Sequence, residues 1–278
     1  MHKSGFVNII GNPNVGKSTL MNALVGEKLS IITSKAQTTR HRIMGIVSGE
    51  DFQIVYSDTP GILKPSYKLQ ESMMKFVTGA VTDADVILYV TDTVEQGDRS
   101  AEIIGRIRES GIPTVVVINK IDLSTPEAQI VPASAKENFN IEGLFKTILA
   151  LLPEGPAFYP KETLTDKTLR FFASEIIREK ILKFYDKEIP YCCEIEIDSY
   201  REEPTIDRIA ATIYVARDSQ KGILIGHKGE KLKRVGQTAR EDMEEFLGKK
   251  VFLQLFVKVS DDWRNNERQL RRFGYELE

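Results

Sequence analysis

The 278-residue sequence lacks several features that define whole classes of proteins. Its longest apolar runs, such as Val86–Val90 and Thr114–Ile118, are far shorter than the ~18 residues that a membrane-spanning helix needs. Only two cysteines occur, and because Cys192 and Cys193 are neighbours, a disulfide between them would be too strained to serve as a structural staple. The N-terminal residues contain no apolar segment followed by a cleavage site, so we expect a cytosolic protein without a secretory signal.

The sequence also has no large excess of charge of one sign, since it contains 38 basic and 40 acidic residues. With 41% hydrophobic residues, a chain of this length supports two globular domains and is not a disordered protein. Within this overall balance, residues 221–240 contain six Lys or Arg residues and a single acid. A polyanion should therefore bind to this stretch.

The order of apolar runs and breaks predicts two domains. The first half alternates amphipathic segments with short β-like runs at Phe6–Ile10, Phe52–Tyr56, Val86–Val90, Thr114–Ile118 and Ile130–Ala133. This alternation is typical of a mostly parallel sheet with helices on both faces. The segment Pro153–Thr165 contains three prolines and a glycine without periodicity, which indicates a linker. The second half alternates helices and strands around a Gly-rich turn. We predict an α/β domain over residues 1–153, a linker over 154–166 and an α+β domain over 167–278.

A phosphate-binding motif stands near the N-terminus. Gly11–Ser18 (GNPNVGKS) follows the β-like run FVNII and precedes a helical segment, which is the strand–loop–helix context that G-x-x-x-x-G-K-S needs. Glycines let backbone N–H groups surround phosphate oxygens, Lys17 reaches the β and γ oxygens, and the Ser18 hydroxyl binds Mg²⁺. The motif predicts a P-loop nucleotide-binding domain.

Two later motifs specify the base. NKID ends the apolar run TVVVI, at the edge where α/β sheets bind ligands. Its Asp122 can accept two N–H bonds from guanine, whereas adenine offers no such pair, so this carboxylate should discriminate for GTP over ATP. Ser134–Lys136 (SAK) adds a backbone N–H for the guanine oxygen. Together with the phosphate loop, these motifs predict a guanine nucleotide.

A third motif, DTPG, should sense the γ-phosphate. Asp58 can hold Mg²⁺ through water, and the Gly61 N–H can meet the γ-phosphate. Upstream, the polar loop Ser34–Arg42 contains two candidate Mg²⁺ ligands, Thr38 and Thr39. We prefer Thr39, and a solvated loop hydroxyl remains the alternative for either threonine.

The catalytic residues are less specified. Ile62 follows Gly61, so the glutamine that orients water in some small GTPases is absent from its usual place, and unaided hydrolysis should be slow. Asn14 either holds a monovalent cation such as K⁺ near the phosphates or is a turn-forming residue, and both interpretations stay open. The predicted catalytic residues are Asn14, Lys17, Thr39 and Gly61.

The second half predicts a nucleic-acid interface. ILIGHKG (Ile223–Gly229) contains a G-x-x-G turn between helical segments, in the element order of a KH module, where single-stranded bases lie in an apolar groove beside the turn. Ile223, Leu224 and Ile225 would line that groove, and lysines would meet phosphates. Trp263 either stacks on RNA or packs on the core with Leu270 and Phe273. The predicted RNA-binding residues are Lys221, Ile223, Ile225, Gly226, His227, Lys228, Gly229, Lys231, Lys233, Arg234 and Trp263.

One segment of the first domain is too short. Only seven residues separate Asp122 from Ile130, whereas neighbouring parallel strands need a crossover of about a dozen or more. Either residues are missing from the sequence at Leu123–Gln129, or the domain is abbreviated there.

The motifs in this order resemble the Era family of bacterial GTPases over nearly the whole chain: GNPNVGKS, QTTRHR, DTPG, NKID, SAK, ILIGHKGEKLKRVG and FVKVSDDWR. The resemblance implies a P-loop GTPase domain followed by a type II KH domain. It also implies a monomer that uses GTP or GDP with Mg²⁺, binds the 3′ end of small-subunit ribosomal RNA and assists assembly of the 30S subunit, partly at the inner membrane surface. The implied nucleotide-binding residues are Gly11, Asn12, Asn14, Val15, Gly16, Lys17, Ser18, Thr19, Asp58, Thr59, Pro60, Gly61, Asn119, Lys120, Asp122, Ser134, Ala135 and Lys136; the implied Mg²⁺ ligands are Ser18, Thr39 and Asp58.

Two other functions remain compatible with the residues. In one, the nucleotide stabilises a single-stranded nucleic-acid binding module without significant turnover. In the other, the KH-like half of a GTPase binds single-stranded DNA or a protein, because nothing in GHKG itself selects RNA.

Overall fold

The computed structural model describes residues 1–92, 101–120 and 133–275, which form two compact units. The first unit comprises Met1–Ser66 with Gln70–Asp166, and the second comprises Tyr67–Leu69 with Lys167–Glu278. None of the described helices combines the length and apolar character needed to cross a bilayer.

The first unit is an α/β domain built on a five-stranded sheet in the order β2-β3-β1-β4-β5. β1 pairs in parallel with β3 and β4, β4 pairs in parallel with β5, and β2 pairs antiparallel with β3 at the edge. Its described elements are β1 (Lys3–Gly11), α1 (Lys17–Val25), β2 (Ile43–Ser48), β3 (Phe52–Asp58), α2 (Lys68–Thr82), β4 (Val86–Asp92), α3 (Ala101–Ser110), β5 (Thr114–Asn119) and α4 (Ile141–Leu151). The mostly parallel sheet predicted from the sequence is confirmed.

The central strands are continuous apolar runs because both faces of the sheet are buried. In β1, Val7, Ile9 and Ile10 are all fully buried. The strand order changes direction at β1, so the loops that follow β1, β3, β4 and β5 open at the same edge of the sheet. The sequence analysis did not predict β2, a short edge strand with a glycine near its centre. Most of the predicted strand Ile130–Ala133, and the short segment Leu123–Gln129, lie outside the described residues.

The segment expected to be a linker, residues 154–166, is held against the strands of the first unit. The Gln53 amide donates to the carbonyl of Tyr159 at 2.8 Å and accepts from its backbone N–H at 2.9 Å. The Thr165 hydroxyl donates to the carbonyl of Met44 at 2.6 Å, and Thr165 forms an antiparallel β-bridge with Gly45 of β2. The compact unit therefore extends to Asp166, although the composition of the segment is that of a linker.

The second unit is an α+β domain with a three-stranded sheet in the order β6-β7-β8. β6 and β7 are antiparallel, and β7 and β8 are parallel. Its described elements are α5 (Leu169–Phe184), α6 (Ile189–Cys192), β6 (Glu194–Glu202), β7 (Ile206–Val215), α7 (Asp218–Ile225), α8 (Glu230–Leu247), β8 (Lys250–Val259) and α9 (Glu267–Arg272).

Helices α5 and α8 contribute to one core with the inner face of this sheet. Ile177 and Ile181 from α5 meet Val235 from α8 and Ile213 from β7 in a single buried cluster. The adjacent cysteines are buried free thiols, as expected, and the Cys193 thiol donates to the carbonyl of Ile189 at 3.1 Å. Leu224 of α7 belongs to the same cluster, so the core also holds α7 against the sheet.

Candidate functional site

The phosphate loop joins the end of β1 to the start of α1. Gly16, at the N-terminus of α1, has a φ of 94°, in the left-handed region that favours glycine. A Cβ atom there would lie 2.2 Å from Nδ2 of Asn119, so any larger residue would collide with the loop after β5. Glycine is therefore required both by the turn and by the close approach of a second loop.

Lys17 is buried at the floor of this loop. Its ammonium group donates to the carbonyls of Gly11 at 2.9 Å and Asn12 at 2.8 Å. These contacts hold a positive charge directly beside the loop backbone. An anion enclosed by the loop would meet that charge at close range.

Three oxygen-bearing side chains converge beside the loop. The Ser18 hydroxyl donates to Oδ2 of Asp58 at 2.6 Å and lies 2.9 Å from Oγ1 of Thr39. Thr39 Oγ1 also donates to the same carboxylate oxygen, at 3.3 Å. The three residues come from α1, the end of β3 and the loop before β2, so only the fold brings them together.

The Asp58 carboxylate is fully buried. Burial raises its pKa, and the hydrogen bond from Ser18 and the charge of Lys17 oppose this shift. Its Oδ1 makes no hydrogen bond to a described residue, and Ser30 lies near the carboxylate outside hydrogen-bonding geometry. A carboxylate with an unpartnered buried oxygen beside two hydroxyls is a donor set that suits a hard cation such as Mg²⁺.

The two candidate threonines of the loop have different surroundings. Thr38 Oγ1 donates to the carbonyl of Lys35 at 2.6 Å and lies 2.6 Å from Oγ1 of Thr33. It therefore supports a local turn, whereas Thr39 is buried against Ser18. The structure brings Thr39, and not Thr38, to the oxygen cluster.

Arg42, at the end of the same loop, is a positioning residue that the sequence analysis missed. Its guanidinium donates to Ser57 Oγ at 2.5 Å, to Asp83 Oδ2 at 2.5 Å and to Asn8 Oδ1 at 3.1 Å. These contacts attach the loop to β3, β1 and the segment after α2, three residues beyond Thr39.

The DTPG loop after β3 is fastened to the phosphate loop. The Thr59 hydroxyl donates to the carbonyl of Ile9 at 2.7 Å, and the Ile62 N–H donates to the carbonyl of Gly11 at 3.2 Å. Gly61 lies against Pro13, where an added Cβ would stand 2.7 Å from Pro13 Cα. The Ile62 side chain is buried in an apolar cluster, so it presents no polar group to the cleft.

The loop after β5 is organised by Asn119. Its Nδ2 donates to the carbonyl of Val15 at 2.9 Å, and its Oδ1 accepts from the N–H of Ala135 at 3.1 Å. Asn119 therefore joins the phosphate loop to the SAK segment. Lys120 has a φ of 58° and donates to Asp92 Oδ2 at 2.6 Å. Asp122 lies outside the described residues.

These loops surround a cleft of about 450 Å³. Asn14, at its mouth, has a φ of 65°, and its Nδ2 donates to the carbonyl of Ser34 at 3.1 Å. Several residues predicted for this site, Pro60 and Lys136 among them, do not line the described cleft. The lining residues that the sequence analysis did not predict are Pro13, Ile31, Ile32, Thr33, Ser34 and Gln37.

The second unit contains a groove of about 410 Å³ between α8 and the edge strand β8. Of the predicted RNA-binding residues, Gly229 and Lys233 line it. The lining residues that we did not predict are Leu232, Gly236, Gln237 and Arg240 from α8, and Leu253 and Leu255 from β8. The spacing of Lys233, Gln237 and Arg240 on α8 is the sequence signal that could have identified this face.

The G-x-x-G turn needs glycine at its first position. Gly226 has φ 74° and ψ −179°, a conformation that is essentially restricted to glycine. A Cβ there would also lie 2.7 Å from Lys231 Cγ. Gly229 has a φ of 80°, but a Cβ at this position would meet nothing within 4 Å, so its outer side is open to a ligand.

The predicted cations do not all face the groove. Lys231 lies over the ring of Tyr185 at 5.9 Å, and Arg234 lies over the ring of Phe184 at 4.3 Å, both on the side of α8 that faces α5. The prediction that Ile223, Leu224 and Ile225 line the groove requires correction, because none of the three is among its lining residues. Ile223 is exposed, and Leu224 is fully buried in the core.

The prediction that Trp263 contacts RNA requires correction. Trp263 is fully buried, and its indole N–H donates to the carbonyl of Cys192 at 2.9 Å. Its ring packs edge-on against Phe273 with centroids 5.7 Å apart. The alternative, packing on the core, is the one that the structure supports, and no face of the ring is available to a base.

Comparison with protein families and relatives agrees with both units. The family described as "50S ribosome-binding GTPase" matches residues 6–120, and the family described as "KH domain" matches residues 188–264. A relative from Alkaliphilus metalliredigens named GTPase Era is 45% identical, with 99% of each chain covered. The GTPase Era of Staphylococcus haemolyticus is 44% identical, covering 99% of this chain and 97% of the relative. The first alignment spans 295 positions, more than the 278 residues of this chain, so that relative contains residues with no counterpart here.

Solved structures give the same result. A crystal structure of Era in complex with MgGDPNP and nucleotides 1506–1542 of 16S ribosomal RNA is 40% identical with a TM-score of 0.95, and all of both chains is covered. A point variant of Aquifex aeolicus Era bound to GDP.AlF4⁻ is also 40% identical, with a TM-score of 0.94 over 99% of this chain and all of that one. On identity, coverage and the order of its two domains, this chain belongs to the Era family of GTPases.

Proposed function

We propose that this protein binds GTP with Mg²⁺, hydrolyses it to GDP and phosphate, and binds the single-stranded 3′ region of small-subunit ribosomal RNA during assembly of the 30S subunit. The observation that carries the proposal is the oxygen cluster of Ser18, Thr39 and Asp58 beside a phosphate loop, in a chain that also contains a KH-type groove. Relatives over the whole length are named GTPase Era, and one solved relative holds MgGDPNP and 16S ribosomal RNA.

Each part of the cleft has a chemical role in this proposal. Lys17 and the backbone N–H groups of the phosphate loop bind the β- and γ-phosphates. Ser18, Thr39 and Asp58 would hold Mg²⁺, and the ion would supply positive charge against the phosphates. The N–H of Gly61, which lines the cleft, would donate to the γ-phosphate, so hydrolysis would remove that contact.

The base site is formed by two loops that Asn119 holds together. Asp122 binds the guanine N–H groups, and the backbone of Ser134–Lys136 binds the guanine oxygen. Lys120 lines the cleft, and its ammonium group is held by Asp92 at the end of β4.

Hydrolysis would need more positive charge near the phosphates than the side chains of this cleft supply. The buried Ile62 offers no group to orient water. Asn14 stands at the mouth of the cleft, so a K⁺ ion held by its amide oxygen would add positive charge near the phosphates.

The RNA site is the groove between α8 and β8, with the open side of Gly229 at one end. Bases pack against Leu232, Leu253 and Leu255, while Lys233 and Arg240 meet phosphates. A cytosolic location stays a prediction from the sequence. A monomeric state and peripheral contact with the membrane surface stay predictions from the family resemblance.

Two measurements on the full chain test the proposal. Phosphate release should be detected with GTP and Mg²⁺, should change when the RNA is added, and should fall strongly in Ser18→Ala. Lys233→Ala should weaken binding of a single-stranded RNA without changing GTP affinity, whereas Lys161→Ala, at an exposed lysine of the first unit, serves as the charge-matched control. GTP binding without phosphate release under any condition would instead support a nucleotide-stabilised binding module.

A further inference from the structure

Two exposed phenylalanines lie on the edge strand of the second unit. Phe252 is 43% exposed and Phe256 is 50% exposed, although both belong to the regular strand β8. Large apolar side chains that share one exposed face form the kind of patch that marks an interaction surface. The pair lies outside the groove proposed to hold RNA.

The alternation of side chains along β8 places this pair next to the groove but on the other face of the sheet. Leu253 and Leu255 point toward α8 and line the groove, so Phe252, Gln254 and Phe256 lie on the opposite face. Among the described residues, no strand pairs with the outer edge of β8. A single strand that leaves the groove can therefore cross this edge and continue onto the face that carries the two rings.

The surroundings of the pair suit nucleotides. Small side chains lie beside it, since Ala210 pairs with Gln254 and Thr212 pairs with Phe256 in the neighbouring strand. Beside Phe252 the neighbouring strand carries a longer side chain, Arg208, which pairs with it. Phe252 and Phe256 are about 13 Å apart along the strand, and the amide of Gln254 stands midway, where it can pair with the edge of an intervening base.

Cationic side chains border the same patch. The guanidinium of Arg208 lies 5.3 Å from the ring centroid of Phe252, and it also pairs with Glu203 at 3.0 Å. Lys250 and Lys258 are exposed at the two ends of the strand, and Lys250 pairs with Glu244 at 3.2 Å. The facing carboxylate of Asp198 is engaged by the Thr212 hydroxyl at 2.7 Å. An extended polyanion with aromatic bases matches this arrangement better than an acidic or purely apolar partner does.

The aromatic residues on the rest of this face are already covered. Phe273, just after α9, packs on Tyr214 with centroids 5.3 Å apart, and the Tyr275 hydroxyl donates to Glu194 at 2.7 Å. The C-terminal segment thus packs over β6 and β7, while the rings on β8 stay exposed.

We propose that Phe252 and Phe256 form a second base-stacking surface, which takes nucleotides of single-stranded RNA flanking those in the groove. This proposal rests on the proposed function, and it extends the RNA site from the groove around the edge of β8. It adds affinity through stacking, which accepts any base, and therefore lengthens the bound RNA without changing the sequence read in the groove.

Two unstructured RNAs test this proposal with the full-length protein and GTP. The core RNA has about six nucleotides, enough for a groove in which a KH module clamps about four, and the extended RNA adds about four nucleotides at each end. The double variant Phe252→Leu/Phe256→Leu keeps apolar side chains but removes the aromatic faces. It should bind the core RNA as the wild type does and lose about 5- to 150-fold in affinity for the extended RNA per stacked base lost.

The controls separate this surface from the groove and from stability. Phe246→Leu, at a phenylalanine of similar exposure (44%) on α8, should leave both affinities unchanged. A 2-aminopurine base in the flanking segment should be quenched by the wild type and not by the double variant. The proposal is overturned if the double variant loses equal affinity for both RNAs, or if the wild type binds the extended RNA no more tightly than the core RNA. If the wild type self-associates and the double variant does not, the surface binds a second copy of this chain, and the RNA proposal is overturned. If Lys233→Ala leaves binding of the core RNA intact, the proposed groove fails instead.

Discussion

The replacement Thr39→Ala tests the oxygen cluster most directly, because the neighbouring Thr38 provides a matched control. Thr39 Oγ1 lies 2.9 Å from Ser18 Oγ and 3.3 Å from a fully buried carboxylate oxygen of Asp58. Removing the hydroxyl deletes one of three oxygen ligands from this cluster. A hydrogen bond or ligand contact that involves a charged group contributes about 1.5–3 kcal/mol, which corresponds to about 10- to 150-fold in affinity.

The effect of Thr38→Ala should be smaller. The Thr38 hydroxyl bonds to the Lys35 carbonyl and to Thr33 within the same loop, and such neutral bonds contribute about 0.5–1.5 kcal/mol. We therefore expect Thr38→Ala to change affinity by no more than about tenfold. Its Mg²⁺ dependence should stay that of the wild type.

Titration of a fluorescent non-hydrolysable GTP analogue at several Mg²⁺ concentrations measures both variants. Thr39→Ala should need more Mg²⁺ to reach the same affinity and should lose preference for the triphosphate over GDP. Thr39→Ser keeps the hydroxyl and should restore most of the affinity. The assignment is refuted if Thr38→Ala has the larger Mg²⁺-dependent loss, or if Thr39→Ala leaves the Mg²⁺ dependence unchanged.

Four further outcomes are expected. Hydrolysis should be faster in K⁺ than in Na⁺, and Asn14→Ala should abolish this difference with nucleotide affinity nearly unchanged; equal rates in both salts would contradict the cation site. Asp122→Asn should weaken GTP binding and favour xanthosine triphosphate in a competition titration, and an unchanged preference for GTP would exclude Asp122 as the base-reading residue. Gly229→Asp should abolish RNA retention in filter binding with GTP affinity intact, and it is a cleaner test than Gly226→Asp, because only at Gly226 would the new Cβ collide with a side chain. Burial raises the pKa of Tyr185 from 10.0 to about 12, so stability that is complete below pH 10 should be lost between pH 10 and 12 by about 2 kcal/mol; Tyr185→Phe should show less of this loss in chemical unfolding at fixed pH.

The sequence predicted those parts of the site that depend on local chemistry. The phosphate loop requires glycines, a lysine and a serine within eight consecutive residues, so a single short segment is enough to predict its function. The parallel strands were recognisable because burial on both faces leaves continuous apolar runs. The KH turn was recognisable because its glycines and lysines are close together in sequence. The order of helices and strands around the turn was also needed to identify it as part of a KH module.

Other features depended on contacts between distant segments. Thr38 and Thr39 have the same chemistry and adjacent positions, and only the path of the loop turns one hydroxyl toward Ser18 and the other toward Lys35. Trp263 looked equally suited to RNA and to the core until the structure placed its N–H on the carbonyl of Cys192, 71 residues away.

The same distinction holds for the RNA groove and the linker. Lys231, Lys233 and Arg234 are alike in sequence, but the helical period directs Lys233 into the groove and the other two toward aromatic rings of α5 and the residue after it. The composition of residues 154–166 correctly indicates irregular backbone, yet the Gln53 amide, about a hundred residues earlier, fixes that backbone to the sheet. Local residue types thus determined which chemistry each segment can perform. Tertiary packing decided which of several equivalent side chains is placed to perform it, because that choice depends on neighbours that a linear pattern does not contain.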